Sequence, residues 1–389
     1  MVEKTNGGVL KISGRIDSTN AAQFEKELLD AAAGRDAGIT LDAAELLYVS
    51  SAGLRVLLKL KKSAAAEVAV INTSPEVYDI FDVTGFTSLL KVSKRQREIS
   101  VDGCEIIGRG GNGTVYRLDD DKIVKVYRPV VSLDKIERER EFAKTALING
   151  VPCVIAYDVV KCGDSYGIVF EMLRSDTLGH AMKNNPEKLD EYVEEYVALA
   201  KELHSAKIET GTFTNIKTIL HERVPKLAKW CTPEEMQLLD SLIDELPDGD
   251  SIIHGDLHPG NIMIQDGELV LIDMPEVTMG AKLWDIAGIY RDLISAPQGS
   301  PDDIELSVGM PSDMIIDVGH RFFRAYTGMN DEELEVYFKQ LGLVYALNVV
   351  LIVGAGSKNA TAKADAIMDN LLRKVVIPNE QALRYILRS

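Results

Sequence analysis

Cysteine is scarce in this 389-residue chain, and the four that occur, Cys104, Cys153, Cys162 and Cys231, form no close-spaced pair. Neither a zinc site nor a disulfide framework is indicated, and reduced, packed thiols fit a cytoplasmic protein. Positive charge is also short: 43 Lys and Arg stand against 60 Asp and Glu, a net charge of −17. A nucleic-acid binder would carry a basic footprint, so that class is excluded. Long apolar runs are missing as well. The most apolar, Leu343 to Ala355, is broken by Asn348. It falls short of the ~20 residues that span a bilayer, which predicts a buried helix and no membrane span. The N-terminus lacks the charged-then-apolar profile of a secretory leader, and there is no internal repeat or low-complexity tract.

What the chain does have is His254-Gly255-Asp256-Leu257-His258-Pro259-Gly260-Asn261, followed by Ile272-Asp273-Met274. Asp and Asn favour turns, and Pro259-Gly260 is turn chemistry, so an ordinary loop would account for the segment alone. The surroundings suggest more. Apolar runs at 262–264 and 269–272 flank Gln265-Asp266-Gly267, which predicts a β-hairpin delivering Asp273 beside the loop. Phosphoryl transfer needs one group that holds a hydroxyl and accepts its proton, for which Asp256 is suited. It also needs oxygen ligands for Mg²⁺, for which Asn261 and Asp273 are suited. Kinase catalytic loops space their Asp and Asn in this way.

Such chemistry calls for a phosphate-covering loop and a lysine upstream. Ile107-Gly108-Arg109-Gly110-Gly111-Asn112-Gly113-Thr114-Val115 supplies the loop, with Gly108, Gly110, Gly113 and Val115 at the pattern positions. A dinucleotide-binding turn would continue into a helix. Here the β-branched Thr114 to Leu118 follows, then an Asp119-Asp120-Asp121 turn and a second strand, Ile123 to Tyr127. Lys125 lies in that strand, where the phosphate-binding lysine belongs. A helix is expected from Ser132 to Ile148. Of its glutamates, Glu141 is favoured as the partner of Lys125, with Glu137 in reserve and the rest facing water beside Arg138 and Arg140. Tyr166 to Leu173 reads as a strand ending in a hinge, where backbone groups of Glu171 and Leu173 would hold adenine. Asp285 either braces the catalytic loop or is a helix-terminal charge matched to the macrodipole. His180, His204, His320 and Asn348 read as structural. The acidic stretches near 187–195, 301–305 and 331–335 read as solvated faces.

From residue 103 to 389 the chain resembles the aminoglycoside phosphotransferase and choline kinase branch of the protein-kinase-like fold. Gly255 stands where protein kinases carry Arg, Met274 where they carry Phe, and Asp285 follows Asp273 by only twelve positions. The resemblance therefore implies a small-molecule kinase with no long activation loop, using ATP and Mg²⁺ to phosphorylate a hydroxyl of a small molecule.

The first hundred residues alternate strands and helices, which suggests a small α/β sandwich. Strands are expected at 10–13, 39–42, 46–49 and 68–71, and helices at 19–33, about 51–62 and from Ser74-Pro75, with Pro at the first helical position. Tyr48-Val49-Ser50-Ser51-Ala52-Gly53-Leu54 looks like the STAS domain of anti-sigma-factor antagonists. Ser50 stands in the place of that family's Asp and Ala52 in the place of its second Ser, so the phosphorylated serine falls on Ser51. Ser51 could equally be a helix N-cap, and the two roles are compatible.

The expected architecture is an α/β STAS-like sandwich (1–95), a linker (96–102), and a bilobal α+β kinase-like fold with an N-lobe (103–173) and a helical C-lobe (174–389). The STAS-like unit is expected to regulate the enzyme or dock a protein partner. The alternative is a signalling protein of the anti-sigma type, with Ser51 as phosphoacceptor and the kinase lobe phosphorylating protein or sensing nucleotide.

Overall fold

The computed structural model describes residues 2–5, 8–34, 38–64, 67–110, 112–206, 212–275, 277–299, 301–356 and 361–388; Gly111 of the glycine loop lies outside them. The chain forms two compact units, residues 1–100 with 160–163, and residues 101–159 with 164–389.

The first unit is built on a five-stranded sheet in the order Val2–Lys4, Leu10–Ile16, Ile39–Val49, Val68–Thr73, Lys91–Lys94. The first pair is antiparallel and the rest are parallel, as expected where helices connect successive strands. Two points differ from the sequence reading. The stretches 39–42 and 46–49 are one strand whose pairing with Leu10–Ile16 shifts register twice. Such irregularities break the strict alternation on which strand reading depends. Val2–Lys4 and Lys91–Lys94, where no strand is expected from the sequence, are the two edge strands, and exposed lysines on them keep other chains from adding to the sheet. Leu10, Ile12, Phe24, Leu28, Leu41, Leu57, Val70 and Phe81 make a core with no exposed surface. Ser74 caps the helix Pro75–Val83, accepting the Val77 N–H at 3.3 Å.

The helix Ser51–Ser63 follows the long strand directly. Its N-cap is Ser50, in extended conformation, so Ser51 is the first helical residue and its side chain is exposed. The N-cap expectation for Ser51 is thus displaced by one position. Gly53 fixes the seat of this helix: a Cβ there would stand 2.7 Å from Ile16 and 2.8 Å from Val49.

In the second unit, Ile106–Arg109, Gly113–Arg117, Lys122–Tyr127 and Ser165–Glu171 lie side by side in that order, each pair antiparallel. The helix Leu133–Ile148 packs against Ser165–Glu171. The helical part has two cores, one around Tyr196, Leu257, Ile286, Phe322 and Phe323, the other around Leu220, Leu242, Leu347 and Val376. Helix Asp331–Gly354 joins them, giving Leu334, Phe338 and Leu341 to the first and Val344, Leu347, Val350 and Leu351 to the second. It is long and apolar enough to cross a membrane, but half of its apolar window is buried inside the protein. Asn330 and Glu333 begin it with a reciprocal capping box.

Candidate active site

The loop from His254 to Asn261 is held from three sides. Strand Ser251–Ile253, leading into it, pairs antiparallel with Thr278–Gly280. Leu257 is buried, and its carbonyl accepts the Tyr196 hydroxyl at 2.6 Å. The third support is Asp285, 1% exposed in helix Leu283–Tyr290. Its two carboxylate oxygens accept the backbone N–H groups of His254 (3.0 Å) and Gly255 (2.8 Å). His204 Nε2 lies 3.2 Å from the same carboxylate, and its Nδ1 lies 2.8 Å from the Tyr326 hydroxyl. Burial disfavours the Asp285 charge, but His204 and His254, the latter partly through its backbone N–H, outweigh it and lower its pKa. Of the two readings left open for Asp285, the geometry selects the brace. Gly255 has φ 85°, a left-handed conformation that costs a residue with a side chain ~1–2 kcal/mol. That is a physical reason for glycine where a protein kinase carries arginine.

The Asp256 side chain that follows is half-buried. One oxygen accepts from Arg291 at 2.6 Å, the other from the Asn261 amide at 3.0 Å. Burial opposes its charge, yet His258 and Arg291 hold its pKa well below the usual carboxylate range. It is a carboxylate at neutral pH, suited to orient a hydroxyl and to take its proton late. Asn261 donates its NH₂ group to the carbonyl and the carboxylate of Asp256 (both 3.0 Å), so the amide oxygen is the end left for a cation.

The expected hairpin is present. Ile262–Gln265 and Glu268–Leu271 pair in register around Asp266 (φ 54°) and Gly267 (φ 87°), the two positive φ values of a type I′ turn. The chain then reaches Asp273, itself at φ 59°. Non-glycine residues held there are uncommon and cluster at functional sites. Asp273 meets Lys125 Nζ at 2.5 Å, and Lys125 meets Glu139 at 2.9 Å. Burial works against the lysine charge, but the two carboxylates outweigh it and raise its pKa.

Glu139, not Glu141, is therefore the helix glutamate on Lys125. Glu141 is exposed and pairs with Arg140 and Lys144. Ile136, Glu139, Ala143 and Ala146 are the buried residues of this helix. Their spacing of three, four and three is one helical face, which points at the sheet. Glu139 was legible as the acidic member of the apolar stripe.

A cavity of about 580 Å³ lies over these groups, lined by Gly108, Gly110, Gly113, Val115, Lys125, Glu139, Asn261 and Asp273 and by hinge residues including Phe170, Glu171 and Leu173. The three glycines are not equivalent. A Cβ on Gly110 would meet nothing, whereas one on Gly113 would fall on the Val126 carbonyl of the next strand. Gly113 thus permits strand packing, and Gly110 leaves the cavity side open. The Glu171 side chain accepts the Ile155 N–H at 2.7 Å, and the Glu171 N–H donates to the Ile155 carbonyl at 3.1 Å.

Several residues here escaped the sequence reading. Arg291 holds both Asp256 and, through two bonds of 2.7 and 2.6 Å, its neighbour Asp292. It begins a π-turn, Arg291–Ser295, a form of helix often found at functional sites. His258 is buried beside Asp256, its Nε2 3.6 Å from the carboxylate. Leu306 and Ser307 line the cavity from a distant part of the sequence. Among the described residues no cluster of three or more His, Cys, Asp or Glu side chains could hold a metal by itself. The oxygen donors are Asn261 and Asp273. That suits a hard cation completed by water and phosphate oxygens, and not an all-protein cage.

Comparison with known proteins agrees with this division. Residues 103–309 match the phosphotransferase enzyme family, and residues 1–99 match the STAS domain. Over 96 residues the chain is 32% identical to a protein of Bordetella bronchiseptica described as "Putative anti-sigma factor antagonist BtrV", covering 24% of this chain and 83% of that one. Similar solved structures include the ADP-bound aminoglycoside phosphotransferase APH(2'')-Ib, 14% identical with a TM-score of 0.45, covering 80% of this chain and 99% of that one. A choline/ethanolamine kinase family protein from Mesorhizobium loti is 16% identical with a TM-score of 0.43, covering 73% and 92%. The chain belongs to the phosphotransferase enzyme family, with a STAS domain at its N-terminus.

Proposed function

We propose that the protein transfers the γ-phosphate of ATP to a hydroxyl of a small molecule in the cytoplasm, with the STAS domain as a regulatory or docking module. The observation that carries this reading is the Lys125–Asp273 contact at 2.5 Å, in the same cavity as Asn261 and beside Asp256. These groups come from separate parts of the sequence and supply what phosphoryl transfer requires.

Asp256 would hold the acceptor hydroxyl. As the oxygen attacks the γ-phosphorus, the bond to the β-γ bridging oxygen breaks, ADP leaves with that electron pair, and the hydroxyl proton passes to the Asp256 carboxylate. Lys125, set by Glu139, would steady the α- and β-phosphates. The amide oxygen of Asn261 and the carboxylate of Asp273 would hold Mg²⁺, which when bound neutralises phosphate charge. The backbone of Glu171 and Leu173 would hold the base. The short path from Asp273 to Asp285 runs through Thr278–Gly280, a buried strand paired to Ser251–Ile253. A buried strand in so short a path favours a small acceptor over a peptide.

A second reading rests on Ser51, exposed in the first turn of its helix within a domain similar to an anti-sigma factor antagonist. Phosphate there would meet free backbone N–H groups and the favourable end of the helix dipole. In that case the kinase lobe acts on Ser51, in this chain or in a partner, or senses nucleotide.

One experiment separates the readings: ATP consumption measured against amino alcohols, sugars and aminoglycosides, with intact mass recorded on the protein alone after Mg·ATP. The small-molecule reading expects one acceptor class to accelerate ATP consumption and the protein mass to stay unchanged. A gain of one phosphate, lost in Ser51→Ala, would instead establish the signalling reading. No consumption with any acceptor would count against the first.

A further inference from the structure

The helix Pro301–Val308 lies outside every motif of the sequence, yet it is built onto the catalytic loop. Two glycines make the contact possible. A Cβ on Gly260 would fall on the Ser307 carbonyl, and one on Gly179 on the Val308 carbonyl. Only backbone without side chain lets these segments approach so closely. The helix end is then locked. Val308 and Met310 are buried, and Gly309 turns at φ 82° against the His180 ring. The Glu305 carboxylate accepts the Ser312 N–H at 2.7 Å.

This docking brings the Ser307 hydroxyl to 3.3 Å from His258 Nε2. On the other ring nitrogen, the Gly260 N–H donates to His258 Nδ1 at 3.1 Å, so Nδ1 acts as acceptor and the ring hydrogen belongs on Nε2. That hydrogen lies between two acceptors, Ser307 Oγ at 3.3 Å and Asp256 Oδ2 at 3.6 Å. His258 is 3% exposed, so its ring is held among protein groups.

We propose that Ser307 is a positioning residue: its hydroxyl holds the His258 imidazole, and His258 orients the Asp256 carboxylate. The serine draws the Nε2–H toward itself and leaves the Asp256 oxygen available to an acceptor hydroxyl. Without it, His258 would donate to Asp256 alone and occupy the lone pair that the reaction uses. The catalytic loop is thus set from two sides, by Asp285 on its backbone and by Ser307 through His258. The inference rests on Asp256 being the proton acceptor, as proposed above.

The test compares the wild type with Ser307→Ala and Ser307→Thr, which restores the hydroxyl on an exposed helix face. Imidazole ¹⁵N spectra of the six histidines, with the His258 signal identified by His258→Gln, read the contact without any turnover. His258 should be an Nε2–H tautomer whose Nε2 signal moves in Ser307→Ala and returns in Ser307→Thr. Turnover of Mg·ATP, with water as acceptor, should fall about tenfold in Ser307→Ala, KM for ATP should stay within about threefold, and threonine should restore the rate. A His258 signal indifferent to Ser307→Ala overturns the inference, as does unchanged turnover beside a moved signal. A wild type that consumes no ATP with water or with any of the acceptor classes above would count against the proposed function instead, and the spectra would still decide the Ser307 contact.

Discussion

Asp256→Ala should lower phosphoryl transfer by at least about 10³-fold, within the range lost when a positioned general base is removed. The affinity for Mg·ATP should change little. The substitution removes the carboxylate that would orient the acceptor, but leaves Lys125, Asp273 and the glycine loop in place. Arg291 loses one partner and keeps two bonds to Asp292, so no buried cation is orphaned. Asn261 loses one acceptor and keeps the backbone carbonyl of residue 256. The variant should fold, bind nucleotide and fail to turn over. Calorimetric titration beside a steady-state assay checks both halves, and full activity in the variant would remove Asp256 from the chemistry.

Asp285→Ala should damage the protein in a different way. Its carboxylate answers the His254 and Gly255 N–H groups and His204, all inside the protein. Alanine supplies no acceptor, so two backbone donors lose their partner away from water. Leaving a buried donor without its acceptor costs about 1–3 kcal/mol for each group. The loop that holds Asp256 then loses the support of its first two residues. Displacement of a reacting group by ~1 Å can cost about 100-fold in rate. Thermal unfolding should shift downward, and the fraction that stays folded should turn over at least about 100-fold more slowly with KM for ATP little changed. An unchanged melting temperature would contradict the brace. Asp256→Ala and Asp285→Ala therefore differ: both reduce turnover, but only the second unfolds early.

The elements that the sequence displayed best are those whose chemistry is local. Asp256, Asn261 and Asp273 share one loop and one hairpin, so their spacing along the chain carries their spacing in the fold, and the Asp266-Gly267 turn is decided by its own two residues. Lys125 could be read from its strand and from the glycines before it. Glu139 was readable but misread. Its place on the stripe with Ile136, Ala143 and Ala146 was available from helical period, and a spacing carried over from other kinases displaced it by two residues. In the STAS domain, a strand that shifts register and a lysine-rich edge both resist a reading by alternation. Arg291 and Ser307 are different in kind. Arg291 depends on a π-turn, which has no sequence period of its own. Ser307 reaches His258 because Gly179 and Gly260, far from it in the chain, leave room for its helix. Those contacts exist only after tertiary packing.

The most direct test of the account is a calorimetric titration of the full chain with ATP, in the presence and in the absence of Mg²⁺, repeated on Asp273→Ala. Binding in the micromolar to millimolar range is expected for the wild type with Mg²⁺, at least about tenfold weaker without it, and Asp273→Ala should abolish the difference. No binding under any condition, or an affinity indifferent both to Mg²⁺ and to Asp273, would contradict the claim that this cleft is built for phosphoryl transfer.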